Sequence, residues 1–348
     1  MWRSSWRRRA ATGMLVVSGP ILGPGCRQVP PLPAPPSTAA ATTAGDPGEA
    51  QPDAADAPYF SGATALARTQ ILMDWPRGLG VPTRADSIEA LAQMLEMGGA
   101  TRIERQRLTA VDPGTGDTFA LVNLFGHVRP EAPRRFVLAT HFDTRPWADE
   151  DPDPRWHDRP VPGANDGTSG VAVVLELMPV LERSLPPDVG LTVILFDGEE
   201  LGRPDHGGYC MGSRHFAREA LEDPPWWLAS AQLGIVLDMV GDRDLHIPIE
   251  PSSVRNASGL VDRLWSVAQR RGHPQFEPTH RSFGILDDHA FLTEAGVPSV
   301  LIIDREYDAW HTHRDTIDRV SAQSLAAVGD TVLFTLLELA ALPSPLEP

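Results

Sequence analysis

The chain has 348 residues, of which 42% are hydrophobic, 34 are proline and 30 are glycine. Its formal net charge is −16 and all 30 basic residues are arginine, a balance that makes a poor polyanion binder, because phosphate contacts need clustered Lys and Arg. Two cysteines exclude a disulfide scaffold, a cysteine zinc ribbon and a CxxC redox site, and no internal run reaches the roughly 18 consecutive apolar residues of a membrane span, so nucleic-acid binding and a polytopic membrane protein both drop out.

Arg3, Arg7, Arg8 and Arg9 precede a short, mildly apolar stretch, Ala10–Gly23. A basic head followed by an apolar segment too short to cross a bilayer reads as a secretory signal. Cys26, in Leu22-Gly-Pro-Gly-Cys26, is placed like the lipid-bearing cysteine of a bacterial lipoprotein, although Gly23 stands where that motif has an aliphatic residue. Residues 1–26 are therefore expected to be a leader that directs export to the periplasm or cell envelope, with Cys26 as a candidate membrane tether. Residues 27–57 are rich in Pro, Ala and Thr and are expected to form an extended, disordered tether. Residues 58–348 are expected to form a single domain.

Within that domain, Ala63–Met73 and Ser87–Met97 carry helical periodicity. Ala120–Val128 and Phe136–Thr140 read as strands, and Gly170–Leu181 as a helix closed before Pro186 and Pro187. Leu191–Phe196, Ile235–Met239 and Ser299–Ile303 are continuous apolar runs, the pattern of strands buried on both faces of a sheet. Met211–Leu221, Val254–Arg271, Asp288–Ala295 and Ser321–Leu342 read as helices. Strands alternating with helices predict an α/β fold, a three-layer α/β/α sandwich on a twisted, mostly parallel mixed sheet.

Ligands in such a sheet sit outside the carboxyl ends of the strands. The apolar runs end there in His141-Phe-Asp143, Asp197-Gly-Glu199-Glu200 and Asp238, and the last leads to Trp310-His311-Thr312. Gly163-Ala-Asn-Asp166-Gly lies just before the Gly170 helix, and Asp287-Asp288-His289 opens another. Paired acids at the end of a buried strand are costly unless their charge is used. Alternation on an extended backbone would point Glu199 and Glu200 opposite ways, one toward a metal and one toward substrate. With Asp166 and His311 the set has the oxygen and nitrogen donors that suit zinc, with a position left for water or substrate. His141 and Asp238 are candidate ligands of a second metal or orienting groups, and Asp143 is expected to hold the His141 ring. Cys210 reads as a small packing residue, and His313 as structural.

These segments, together with Met211-Gly-Ser-Arg-His-Phe-Ala, resemble the zinc exopeptidase superfamily, and within it the animal-type (type II) glutaminyl-peptide cyclotransferases and their bacterial relatives, over roughly residues 58–340. The resemblance implies Asp166, Glu200 and His311 as ligands of one zinc ion, and Glu199 as catalytic acid/base in a hydrogen-bond network with Asp238 and Asp287. It also implies Trp310 as an aromatic wall of the substrate pocket, with Tyr307 where the vertebrate cyclases have Phe. The loop after Glu200 lacks the Trp those enzymes carry. The implied reaction is closure of an N-terminal glutamine of a peptide or protein to pyroglutamate with release of ammonia, by a monomer. Two alternatives stand beside it: a di-zinc aminopeptidase using His141 and Asp238 at the second metal, and a surface-tethered binding module without chemistry.

Overall fold

The computed structural model describes residues 57–203 and 206–343. The leader, the tether through residue 56 and Cys26 lie outside the described residues. Two helices, α1 (Gly62–Met73) and α2 (Arg84–Met97), precede the strands β1 (Arg102–Val111), β2 (Thr118–Val128) and β3 (Arg134–His141). Then come α3 (Thr168–Ser184), β4 (Val189–Phe196), α4 (Met211–Glu222), β5 (Ala231–Asp238), β6 (Ile247–Ile249) and α5 (Pro251–Arg271). The described chain closes with β7 (Phe276–His280), α6 (Asp288–Glu294), β8 (Ser299–Ile303) and α7 (Ala322–Ala340).

Six strands form one mixed sheet in the order β1-β2-β4-β3-β5-β8. The strands β4, β3, β5 and β8 run parallel, whereas β2 is antiparallel to both β1 and β4. Every residue of β4 and β8 is buried, which is why both read as unbroken apolar runs. Parallel strands need crossover connections, and the helices that make them cover both faces. On one side α1, α3, α5 and α7 pack together; on the other lie α4 and α6. The second layer is sealed by an aromatic cluster in which Phe216 stacks on Trp227 at 5.8 Å, beside Phe125 and Phe196. Although α7 is long and apolar enough to cross a membrane, most of it is buried against α1, α3 and α5, so its apolarity is that of a core helix.

The sandwich predicted from alternation is present, and twelve of the predicted elements appear within a few residues of their expected bounds. Three strands were not legible. β1 is a sheet edge, largely exposed along Arg-Ile-Glu-Arg-Gln-Arg, so it has no apolar run to betray it; charge on an edge strand also discourages pairing with other chains. β6 and β7 form a separate two-stranded sheet, and are three and five residues long.

Candidate active site

Because β4, β3, β5 and β8 are parallel, their carboxyl ends share one edge, and each delivers polar residues there. β3 ends at His141 and β5 at Asp238. After β4 the chain passes Asp197 and Gly198 into a short 3-10 turn, Glu199–Leu201. Gly198 has φ 70°, and a Cβ on it would lie 2.4 Å from Leu121 Cδ1, so both the reversal and the close approach require glycine here. The two glutamates therefore diverge because a 3-10 turn rotates successive side chains by about a third of a turn, and not through the extended alternation expected from sequence. The outcome is nonetheless a division: Glu200 is buried, and Glu199 is half-buried and faces the opening.

Of the eight residues expected at the site, Asp166, Glu199, Glu200, Asp238, Asp287, Trp310 and His311 line a single cavity of about 440 Å³. Its outer wall includes Met239, Ile285 and Ile303, with Phe283 and Leu286 exposed at the rim. The loop after Glu200, which lacks the expected tryptophan, contributes Tyr209.

Tyr307 is the exception. It is buried, and its hydroxyl donates to Asp315 Oδ1 at 2.7 Å. The same carboxylate accepts the backbone N–H groups of Asn165 and Asp166 at 2.8 and 3.0 Å, so Tyr307 braces the Asp166 loop from behind instead of touching substrate. Burial, as the leading cause, raises the Asp315 pKa to about 6, which leaves it largely ionised at neutral pH. A buried hydrogen bond to a charged group is worth about 1.5–3 kcal/mol. Tyr307→Phe should lower stability by about that much in a denaturant titration; an unchanged midpoint would show that the brace carries no load.

Asp143 also departs from expectation. Its oxygens accept the backbone N–H groups of Glu199 and Glu200 at 3.2 and 3.1 Å, so it fixes the turn that carries both acids. The His141 ring nitrogen is 3.7 Å from it, too far for a hydrogen bond, and that Nδ1 has no partner. His141 Nε2 instead lies 2.9 Å from Asp238 Oδ1 and 3.3 Å from Asp166 Oδ1. Asp287 caps α6 by accepting from Asp288 N at 2.5 Å, and Asp288 accepts from Ser213 Oγ. The expected network is thus not a direct one: neither Asp238 nor Asp287 hydrogen-bonds Glu199, and Asp287 acts on it as a neighbouring charge.

Among the described residues, the one side chain that hydrogen-bonds the Glu199 carboxylate is Cys210, whose Sγ lies 3.3 Å from Oε1. Sequence gave Cys210 only as a packing residue; it does pack in the core beneath α4, but the thiol contact needed the fold to be seen. Arg145 was likewise unassigned, and it donates to Glu200 at 3.2 Å. His313 bonds Asp151 and stacks on Trp156 at 4.2 Å, as a structural histidine would.

Backbone strain gathers here. Among the described residues, four other than glycine have positive φ: Arg129, Cys210, Met239 and His311. The last two line the cavity and Cys210 touches Glu199, in keeping with the tendency of such outliers to cluster at functional sites.

The surroundings push the carboxyl groups in opposite directions. Burial and then the charge of Glu200 push Glu199 well above the usual carboxylate range. Burial would raise Glu200 too, but His311 and Arg145 outweigh it and hold Glu200 well below that range. Asp166 is pushed up, by burial first and by Glu200 second. Asp166, Glu200 and His311 offer donor atoms that all lie within 4.8 Å of one another. His311 Nε2 is 3.2 Å from Glu200 Oε2 and 3.8 Å from Asp166 Oδ2. Two buried carboxylates that repel each other beside one imidazole make a donor set that fits a divalent cation, zinc in particular. His141, Asp166 and Asp238 form a second such group that shares Asp166.

The pattern of peptidase family M28 matches residues 123–336, more than half of the chain. A crystal structure of the Bacteroides thetaiotaomicron glutaminyl cyclase bound to N-acetylhistamine is 31% identical, with a TM-score of 0.73 over 79% of this chain and 97% of that one. A crystal structure of a leucine aminopeptidase precursor from the same organism is also 31% identical, with a TM-score of 0.73 over 79% of this chain and 96% of that one. The glutaminyl-peptide cyclotransferase of Bos taurus is 28% identical over an alignment of 251 positions that covers 62% of this chain and 66% of the bovine one. Its sheet, its cavity and the span of that match agree: the chain belongs to peptidase family M28.

Proposed function

We propose that the protein is a glutaminyl-peptide cyclotransferase, which closes an N-terminal glutamine of a peptide or protein to pyroglutamate and releases ammonia. The observation that carries this reading is the contrast between the adjacent glutamates. Glu200 is buried beside His311 and Arg145, which hold its pKa low, while Glu199 faces the cavity with its pKa raised. A carboxyl group whose pKa is raised by its surroundings can both take and return a proton.

Asp166, Glu200 and His311 would hold one zinc ion, which when bound supplies Lewis-acid polarisation of the γ-amide carbonyl. The chain's own residues do the rest. The α-amine of the substrate attacks its own γ-carbonyl carbon, forming one C–N bond as the bond to the side-chain nitrogen breaks. Glu199 takes the proton lost by the α-amine and returns it to the departing nitrogen, which leaves as ammonia. Cys210 and the Asp143-anchored turn orient Glu199, and the charge of Asp287 helps to hold its pKa up. Trp310 walls the cavity beside His311, its ring stacked on the imidazole at 3.7 Å, and limits the water that reaches the reacting atoms.

A second reading has one observation in its favour: the convergence of His141, Asp166 and Asp238. It would make the protein a two-metal aminopeptidase. Metal analysis of the purified protein and of His141→Ala separates the two. The cyclotransferase reading expects one zinc ion in both proteins, because His141 bonds Asp238 and is not a ligand. Two ions in the parent and one in the variant would select the aminopeptidase.

A further inference from the structure

We propose that Arg145 is a positioning residue that fixes the Glu200 carboxylate in the geometry in which it holds a metal ion; this rests on the ligand set assigned above. Arg145 follows the His141-Phe-Asp143 segment past the end of β3 and is only 1% exposed. A buried guanidinium is costly unless its donors are used, and here they are. Nε and Nη2 each donate to one oxygen of Asp149 at 2.6 Å, a parallel pair that locks the plane of the group. The rings of Tyr209 and Trp147 lie 5.7 and 5.4 Å from its central carbon and confine it further.

With its plane fixed, Nη1 donates to Glu200 twice, to the backbone carbonyl and to Oε2, at 3.2 Å in both cases. His311 Nε2 approaches that same Oε2 at 3.2 Å. The arginine thus holds both the backbone and the side chain of the proposed ligand. Neighbours of this kind orient metal-binding side chains, and their loss typically weakens metal binding about 10–100-fold.

Arg145 is also a cation among buried acids, and a role as mere counter-charge makes the opposite prediction. A nearby positive charge repels a dication, so deleting it without any positioning loss would tighten zinc. Arg145→Lys isolates geometry, because it keeps the charge but presents a single ammonium that cannot pair with both oxygens of Asp149 and still span the two acceptors of Glu200.

The test measures zinc dissociation constants by chelator competition for the full-length parent, Arg145→Lys, Arg145→Met and Glu200→Gln, with thermal unfolding of each metal-free protein. Arg145→Lys is expected to bind zinc about 10–100-fold more weakly than the parent at a similar melting temperature, and Arg145→Met at least as weakly. Parent-like affinity in Arg145→Lys, or tighter binding in Arg145→Met, overturns the proposal. If Arg145→Met does not fold, the lysine variant decides. Loss of zinc in Glu200→Gln together with parent-like Arg145→Lys rejects only the role of Arg145, whereas retention of zinc in Glu200→Gln rejects the ligand set itself.

Discussion

Glu199→Gln should keep its fold and its zinc yet lose turnover, with kcat lowered by at least ~10²-fold and up to ~10⁴-fold, the usual range for removing a general acid–base. The amide has the shape of the carboxyl group but can neither accept the proton of the α-amine nor return it to the departing nitrogen. Because Glu199 contributes to the reaction and not to ground-state binding, KM should change little. The pH profile supplies a second signature. The ionised form is the active base and its pKa is raised by burial and by Glu200, so parent activity should fall as pH drops through that raised value. The acidic limb should be missing from whatever activity Glu199→Gln retains. A variant with full turnover would place the proton transfer elsewhere.

Glu200→Gln is expected to give the opposite pattern, losing zinc and activity together. The carboxylate is held ionised by His311 and Arg145, and a carboxamide in its place offers a neutral, weaker donor where only three protein ligands are available. Asp166→Ala and His311→Ala should behave alike for the same reason. Metal analysis after dialysis distinguishes the two glutamates: zinc retained in Glu199→Gln and absent from Glu200→Gln. Full occupancy in any of the three ligand variants would mean that the ion sits elsewhere.

The parallel strands and the acids at their ends were legible because the physics is local. Strands buried on both faces must be apolar throughout, so Leu191–Phe196 and Ser299–Ile303 stand out, and the first charged residue beyond each marks the sheet edge where a ligand can sit. What was lost depends on long-range geometry. β1 carries no buried stripe because it lies on the sheet edge. The 3-10 turn at Glu199 follows from the tight approach of Gly198 to Leu121, two residues far apart in the chain. Tyr307 looks like a pocket wall by its place before Trp310, yet the loop folds its hydroxyl inward to Asp315. Cys210 and Arg145 act on the two glutamates through contacts across turns that only the fold brings together. The residues proposed as metal ligands and as acid/base were recognisable by type and placement, whereas those that brace them are ordinary residues whose role is wholly a matter of what they touch.

The most direct measurement incubates the zinc-loaded protein with a peptide beginning Gln-Xaa, and follows ammonia release by a coupled assay and peptide mass in parallel. A cyclotransferase releases one ammonia per peptide, shortens no chain and leaves a product without a free amino terminus. Release of free glutamine with a shortened peptide, and no ammonia, would contradict this function and identify the protein as an aminopeptidase.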